Sequence, residues 1–172
     1  MHILCFMLIA LPLALGSGAQ SPFDQPCSGT DLKYGHGTSS CLQKPYCPGR
    51  EASESLQSLL FTQFTQTLYV EKNITKAFEV YVSSNIIEHD PEDTQDRDAI
   101  VARLSQIIPF ASVTILRSNF GNNTGLIHLK VDENPEPLAL ADIYRMDGTC
   151  IVEHWDISQA RPSNSTNPIA MF

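Results

Sequence analysis

Near the C-terminal end of the chain, a histidine and two aspartates have types and spacing that suit proton transfer. Alternation over residues 149–158 places Val152, His154 and Asp156 on one face of a strand, and Glu153, Trp155 and Ile157 on the other. His154 and Asp156 are then same-face neighbours, within reach of a hydrogen bond or a shared ligand. A carboxylate that takes a proton from carbon needs a pocket that raises its pKa, and a donor for the oxyanion that develops. Asp156 is the candidate base, with His154, Asp142 and His89 as orienting or acid groups. Tyr81, one turn beyond Phe78, is the candidate pocket hydroxyl, and Asp90 and Tyr144 are further candidate substrate contacts. The plainer readings are a solvated sheet face for His154 and Asp156 and a turn cap for His89, while His128 and His36 read as surface. His89, His154, Asp142 and Asp156 have the composition of a two-histidine, two-carboxylate metal site, but their spacing matches no compact ligand motif, so no metal is expected. No G-x-S-x-G, P-loop or dinucleotide fingerprint occurs, which excludes serine esterase, NTPase and Rossmann readings and leaves no cofactor to expect.

These residues must be positioned by the elements before them. Leu56, Leu59, Leu60, Phe64 and Leu68 form one apolar helical stripe. Ile74, Ala77, Phe78 and Tyr81 form a second, entered by Asn73 as N-cap, and Ile100, Val101, Leu104, Ile107 and Ile108 a third, entered through Asp93 and Thr94 and stopped by Pro109. Between the second and third, Pro91 keeps residues 86–91 extended. After Pro109 the period becomes two. Residues 112–118 alternate, residues 121–125 turn, and residues 126–132 alternate again, with Ile127, Leu129 and Val131 on one face. Residues 138–146 and 149–158 flank a hairpin signal at Met146-Asp147-Gly148. Helices first and strands afterwards predict an α+β fold, with three helices packed on one face of an antiparallel sheet.

The chain of 172 residues carries 11 Lys+Arg against 19 Asp+Glu, a net charge of −8. With no basic run it lacks the electrostatic footprint of a nucleic-acid binder, and anionic membrane surfaces are disfavoured for the same reason. The apolar run at residues 3–15 is too short to cross a bilayer, and Ser17 and Ala19 fit a peptidase site, so residues 1–19 read as a secretory signal peptide. Residues 20–50, rich in Cys, Gly and Pro, read as an extension tied down by disulfides, and residues 51–172 as the folded domain. Secretion suits the remaining cysteines, Cys27, Cys41, Cys47 and Cys150, as two disulfides of three possible connectivities. If all four pair, Cys150 bonds one extension cysteine and clamps the extension onto the hairpin end of the sheet. Asn73, Asn122 and Asn164 sit in sequons and are candidate glycan acceptors.

At the last hairpin, Ala141-Asp142-Ile143-Tyr144-Arg145-Met146-Asp147-Gly148 followed by Ile151-Val152-Glu153-His154-Trp155-Asp156 resembles the SnoaL-like polyketide cyclase family. Ile87-Glu88-His89-Asp90-Pro91 after Tyr81, and the C-terminal Asn167-Pro168-Ile169-Ala170-Met171-Phe172, are similar to further segments of that family. The resemblance covers roughly residues 52–172. It implies a cone-shaped α+β fold of the nuclear-transport-factor-2-like superfamily, whose curved sheet and helices enclose one pocket. It implies cofactor-free aldol chemistry, with Asp156 matching the family's proton-abstracting aspartate; Asp142 stands where some members carry a histidine, and Asp90 where an asparagine is usual. A homodimer through the outer sheet face is expected, with Trp155 as its anchor.

Two functions follow as expectations. The first is a secreted, cofactor-free enzyme acting on a small apolar carbonyl compound by proton transfer at carbon; the alternative is a secreted binding protein that holds a small hydrophobic ligand in the same cavity without turnover. Both depend on the register of the last hairpin. A three-residue Met146-Asp147-Gly148 loop sets Arg145 opposite Thr149 and Asp142 opposite Val152, so that Asp142, His154 and Asp156 share one face.

Overall fold

A computed structural model describes residues 42–133 and 135–172. The expected signal peptide, most of the extension, Cys27, Cys41 and His36 lie outside the described residues. Within the unit Leu42–Phe172 the chain forms α1 (Glu54–Thr65), α2 (Ile74–Tyr81), β1 (Val82–Glu88), α3 (Arg97–Ile107), β2 (Ser112–Gly121), β3 (Thr124–Asp132), β4 (Leu138–Asp147) and β5 (Cys150–Ala160). The helices start where short polar side chains satisfy the first free N–H groups. Ser53 caps α1, Asn73 caps α2 by accepting from the Lys76 N–H at 3.1 Å, and Asp96 caps α3. The cap of α3 thus lies beyond the expected Asp93 and Thr94. Those two belong to the preceding loop, where Asp93 is held by Arg103.

The apolar stripes become the core. Leu60, Phe61, Phe64 and Leu68 are buried with Ala77, Phe78 and Ile100 against Ile127 and Leu129 of the sheet. Leu59, counted in the first stripe, is instead 41% exposed, because Phe61 takes the inward position.

The sheet runs β1-β5-β4-β3-β2. Its β2-β3-β4-β5 portion is antiparallel, as the alternation predicts, but the extended piece after α2 joins it as β1, parallel to β5. The sheet is therefore mixed and not antiparallel. Hairpin signals find only strands joined by tight turns, whereas β1 reaches β5 across the whole intervening chain.

The last hairpin corrects the expected register while keeping its consequence. Asp147 pairs with Cys150, so the loop is the two residues Gly148 and Thr149, and Gly148 carries φ +53° at its first position. That is the position where a type II′ turn takes glycine. Met146 then pairs with Ile151 but Arg145 with Glu153, leaving Val152 as a bulge. Asp142 therefore stands opposite Asp156 and not Val152. The bulge restores the parity, and Asp142, His154 and Asp156 do share one face.

Residues 46–50 explain why the loop sits there. The Thr149 hydroxyl donates to the Tyr46 carbonyl at 2.6 Å and accepts from the Arg50 N–H at 3.1 Å. The Thr149 N–H donates to the Arg50 carbonyl at 3.0 Å, and Cys47 is disulfide-bonded to Cys150. The hairpin tip is thus clamped by the chain N-terminal to α1. The three sequon asparagines, Asn73, Asn122 and Asn164, are all exposed.

Candidate active site

Residues of the sheet and the helices line a cavity of about 430 Å³ that is open on one side. One half is apolar, walled by Ile100, Leu104 and Ile108 from α3 and its end, and by Leu129, Val131 and Leu140 from β3 and β4. The other half is acidic and aromatic: Tyr69, Glu88, Asp90, Asp142, Tyr144, His154 and Asp156 line it. Alternation along β4 and β5 delivers Asp142, Tyr144, His154 and Asp156 to this face, and the parallel register of β1 sets Glu88 opposite His154.

Asp142 is buried, 2% exposed, and its carboxylate is surrounded by donors. It accepts from the Tyr69 hydroxyl, lies 3.5 Å from the Tyr144 hydroxyl, and faces His154 Nε2 at 3.9 Å, an attraction without a hydrogen bond. Burial and the neighbouring Asp142 charge push both tyrosines well above their ordinary range, so they remain hydroxyl donors. The His154 Nδ1 lies 2.8 Å from Glu88 Oε1, and the imidazole stacks on the Tyr144 ring at 4.4 Å. Burial opposes a charge on His154, but Asp142 and Glu88 outweigh it and push its pKa up to about 10.

Asp156 differs from the other carboxylates. Its carboxylate makes no hydrogen bond or ion pair with any described residue. Burial first, and then the charges of Asp90 and Asp142, raise its pKa above the ordinary carboxylate range, while His154 opposes the rise. On the cavity side of the β1–α3 loop, Arg103 ties Asp90 (2.7 Å) and Asp93 to α3.

The expected site residues divide. Asp142, His154, Asp156, Asp90 and Tyr144 come together in the cavity. His89 and Tyr81 do not. The His89 ring stacks on Trp155 at 4.8 Å and its Nε2 reaches Glu153 at 2.9 Å, which places it on the outer face. With His89 there, the four-residue metal set is not brought together. Tyr81 is packed in the core beside Tyr46 and Phe64, its hydroxyl 3.4 Å from Gln63 Oε1 of α1, while Phe78 is the residue of that α2 stripe that reaches the cavity.

The pocket hydroxyl is Tyr69, which sequence reasoning missed. It lies on a π-helical turn, Gln66–Val70, at the end of α1, where the Glu71 N–H reaches back to the Gln66 carbonyl. A wider turn changes the phase of the stripe and brings Tyr69 under Asp142. Glu88 was missed as well. Its signal was available, since it precedes His89 in an extended piece whose alternation gives the two residues opposite faces.

No family model and no curated protein matches the sequence. Among solved structures, the chain is similar to an NTF-2 like protein of unknown function from Burkholderia xenovorans: TM-score 0.55, 14% identity, covering 66% of this chain and 90% of that one. It is also similar to an NTF2-like protein of unknown function from Cytophaga hutchinsonii, at TM-score 0.51 and 12% identity, covering 64% and 93%. A steroid delta-isomerase from Pseudomonas aeruginosa matches at TM-score 0.53 and 11% identity, covering 66% and 85%. These likenesses show that the chain has an NTF2-like fold, the fold that the last hairpin's resemblance implies.

Proposed function

We propose that the chain is a cofactor-free enzyme acting on a small, largely apolar carbonyl compound by proton transfer at carbon, with Asp156 as base. The observation that carries this reading is the contrast between the two facing carboxylates. Asp142 is buried and accepts from two tyrosine hydroxyls, whereas the half-buried Asp156 carboxylate has no partner among the described residues and has a raised pKa at the edge of the cavity. A base poised nearer neutrality transfers a proton more effectively. In the step proposed, Asp156 takes a proton from the carbon next to the carbonyl and the C–H electron pair forms the enolate. The negative charge gathers on its oxygen, and the proton returns to carbon, so no redox partner is needed. One fold neighbour is a steroid delta-isomerase, and the apolar half of the cavity suits an alicyclic ketone. The Cys47–Cys150 disulfide supports secretion.

The test is exchange of deuterium from solvent into alicyclic ketones, followed by mass spectrometry. Wild type is expected to catalyse exchange, and Asp156→Asn to lose on the order of a hundredfold or more in rate, the scale of general-base catalysis. Ketone binding without exchange above the buffer rate overturns the catalytic reading and assigns the cavity to a binding protein.

A further inference from the structure

Glu88 ends β1 with its side chain only 1% exposed. Its carboxylate is fixed from three directions: Oε1 accepts from the N–H groups of His89 and Asp90, each at 3.0 Å, and meets His154 Nδ1 at 2.8 Å. Its backbone is held too, since Gln95 donates to the Glu88 carbonyl at 2.6 Å and accepts from its N–H at 3.2 Å. A carboxylate held so firmly dictates the direction of the ring bonded to it. The opposite ring nitrogen, His154 Nε2, is buried and has no hydrogen-bond partner among the described residues. Buried polar atoms are rarely left unpaired, because losing water without gaining a partner costs folding free energy.

We propose that Glu88 is a positioning residue that fixes His154 Nδ1 and thereby holds Nε2–H as the donor for an oxygen atom of the bound ligand. The ligand half of this inference rests on the carbonyl reading above; the Glu88–His154 half stands without it. The oxygen would be that of a ketone, or of the enolate formed from it, whose developing charge a fixed donor in a water-poor site stabilises. The charged and titratable groups around His154 are Glu88 from β1, Asp142 and Tyr144 from β4, and Asp156 on its own strand face. Tyr69 is linked to it through Asp142 and through Tyr144, and Arg103 is engaged with Asp90 and Asp93. Of the groups nearest His154, only Glu88 reaches it with a hydrogen bond.

The experiment follows the His154 ring by nitrogen NMR in the full chain, with naphthol as an enolate-like probe whose fluorescence reports ionisation. Wild type is expected to keep both ring nitrogens protonated through neutral pH. Glu88→Gln is expected to lower the titration midpoint by roughly 1–3 pH units, the effect of removing a close opposite charge, and to weaken naphtholate binding about tenfold. An unchanged midpoint in Glu88→Gln overturns the proposal, as does a lowered midpoint with unchanged naphtholate affinity. Should that variant fail to fold, wild type alone decides: an Nε2 found unprotonated at neutral pH refutes the donor role. Wild type that binds no naphtholate refutes the ligand half and weighs against the carbonyl reading. Loss of exchange activity from Asp156→Asn with naphtholate binding intact leaves both standing.

Discussion

Removing the Cys47–Cys150 disulfide tests how the hairpin that carries the site is held. The bond joins residues 103 apart in sequence, and its main effect in the chain-entropy model is on the unfolded state, where it forbids the open conformations of a long loop. For a loop of about 100 residues the model gives about 4.7 kcal/mol at 25 °C. At about 2.1 cal/mol/K per residue, the roughly 130 residues of the folded unit unfold with about 0.27 kcal/mol/K, so Tm should fall by about 17 °C. The variant should be the double Cys47→Ala, Cys150→Ala. Cys150 is only 1% exposed, and serine there would bury a hydroxyl and add a penalty unrelated to the loop. The noncovalent clamp, Thr149 on Tyr46 and Arg50, remains in the variant, so its native fold should persist. Calorimetry under oxidising conditions measures the difference, and wild type in reductant should approach the double variant. A drop of less than about 3 °C would refute the reasoning, showing that the bond adds little restriction to the unfolded chain.

Two further outcomes are expected. Gly148→Ala should destabilise by about 2 kcal/mol or more in urea unfolding, since Gly148 has φ +53° and an added Cβ would run into the Arg50 carbonyl; unchanged stability would mean that the loop can shift. His154 has a folded pKa raised to about 10 from 6.5, so its contribution is fully present below about pH 6.5 and is lost as pH rises through about 10. Urea midpoints of wild type should fall across that window, and His154→Gln should flatten the fall; a wild-type midpoint that stays level would show that His154 is not held charged.

Much of this fold was legible because its signals are local. Asn73 was readable as a cap, the Ile127-Leu129 face as core and the β4–β5 hairpin as the place where carboxylates converge, since each needs only neighbouring residues. The errors lie where a distant segment decides. The hairpin turn moved to Gly148-Thr149 because residues 46–50 bind Thr149, and the bulge at Val152 accompanied it. The site survived that error because facing depends only on the parity of the register, and a shift of four in the pairing sum of β4 and β5 residues leaves parity unchanged. Tyr81 and Tyr69 show the opposite case. Both are aromatics with inward positions, and which one reaches the cavity was set by the π turn at Gln66–Val70, a departure from helical period that no stripe announces.

The energetic cost of the acidic half of the cavity argues that it is there for function. Glu88 and Asp142 are buried beside His154, and removing charges from water is repaid only where hydrogen bonds and opposite charge are well placed. Here they are placed around Asp142 and Glu88, whereas no described residue reaches the half-buried Asp156 carboxylate or the buried His154 Nε2 with a hydrogen bond. A fold selected for stability alone would do as well or better with apolar residues at these positions, continuing the wall of Leu129 and Leu140. The two groups also differ in kind: one is a half-buried carboxylate that can take a proton, the other a buried ring N–H that can give a hydrogen bond. A base with a separate donor beside it is the pair that enolate formation requires, and a purely structural ion cluster would have closed them on each other.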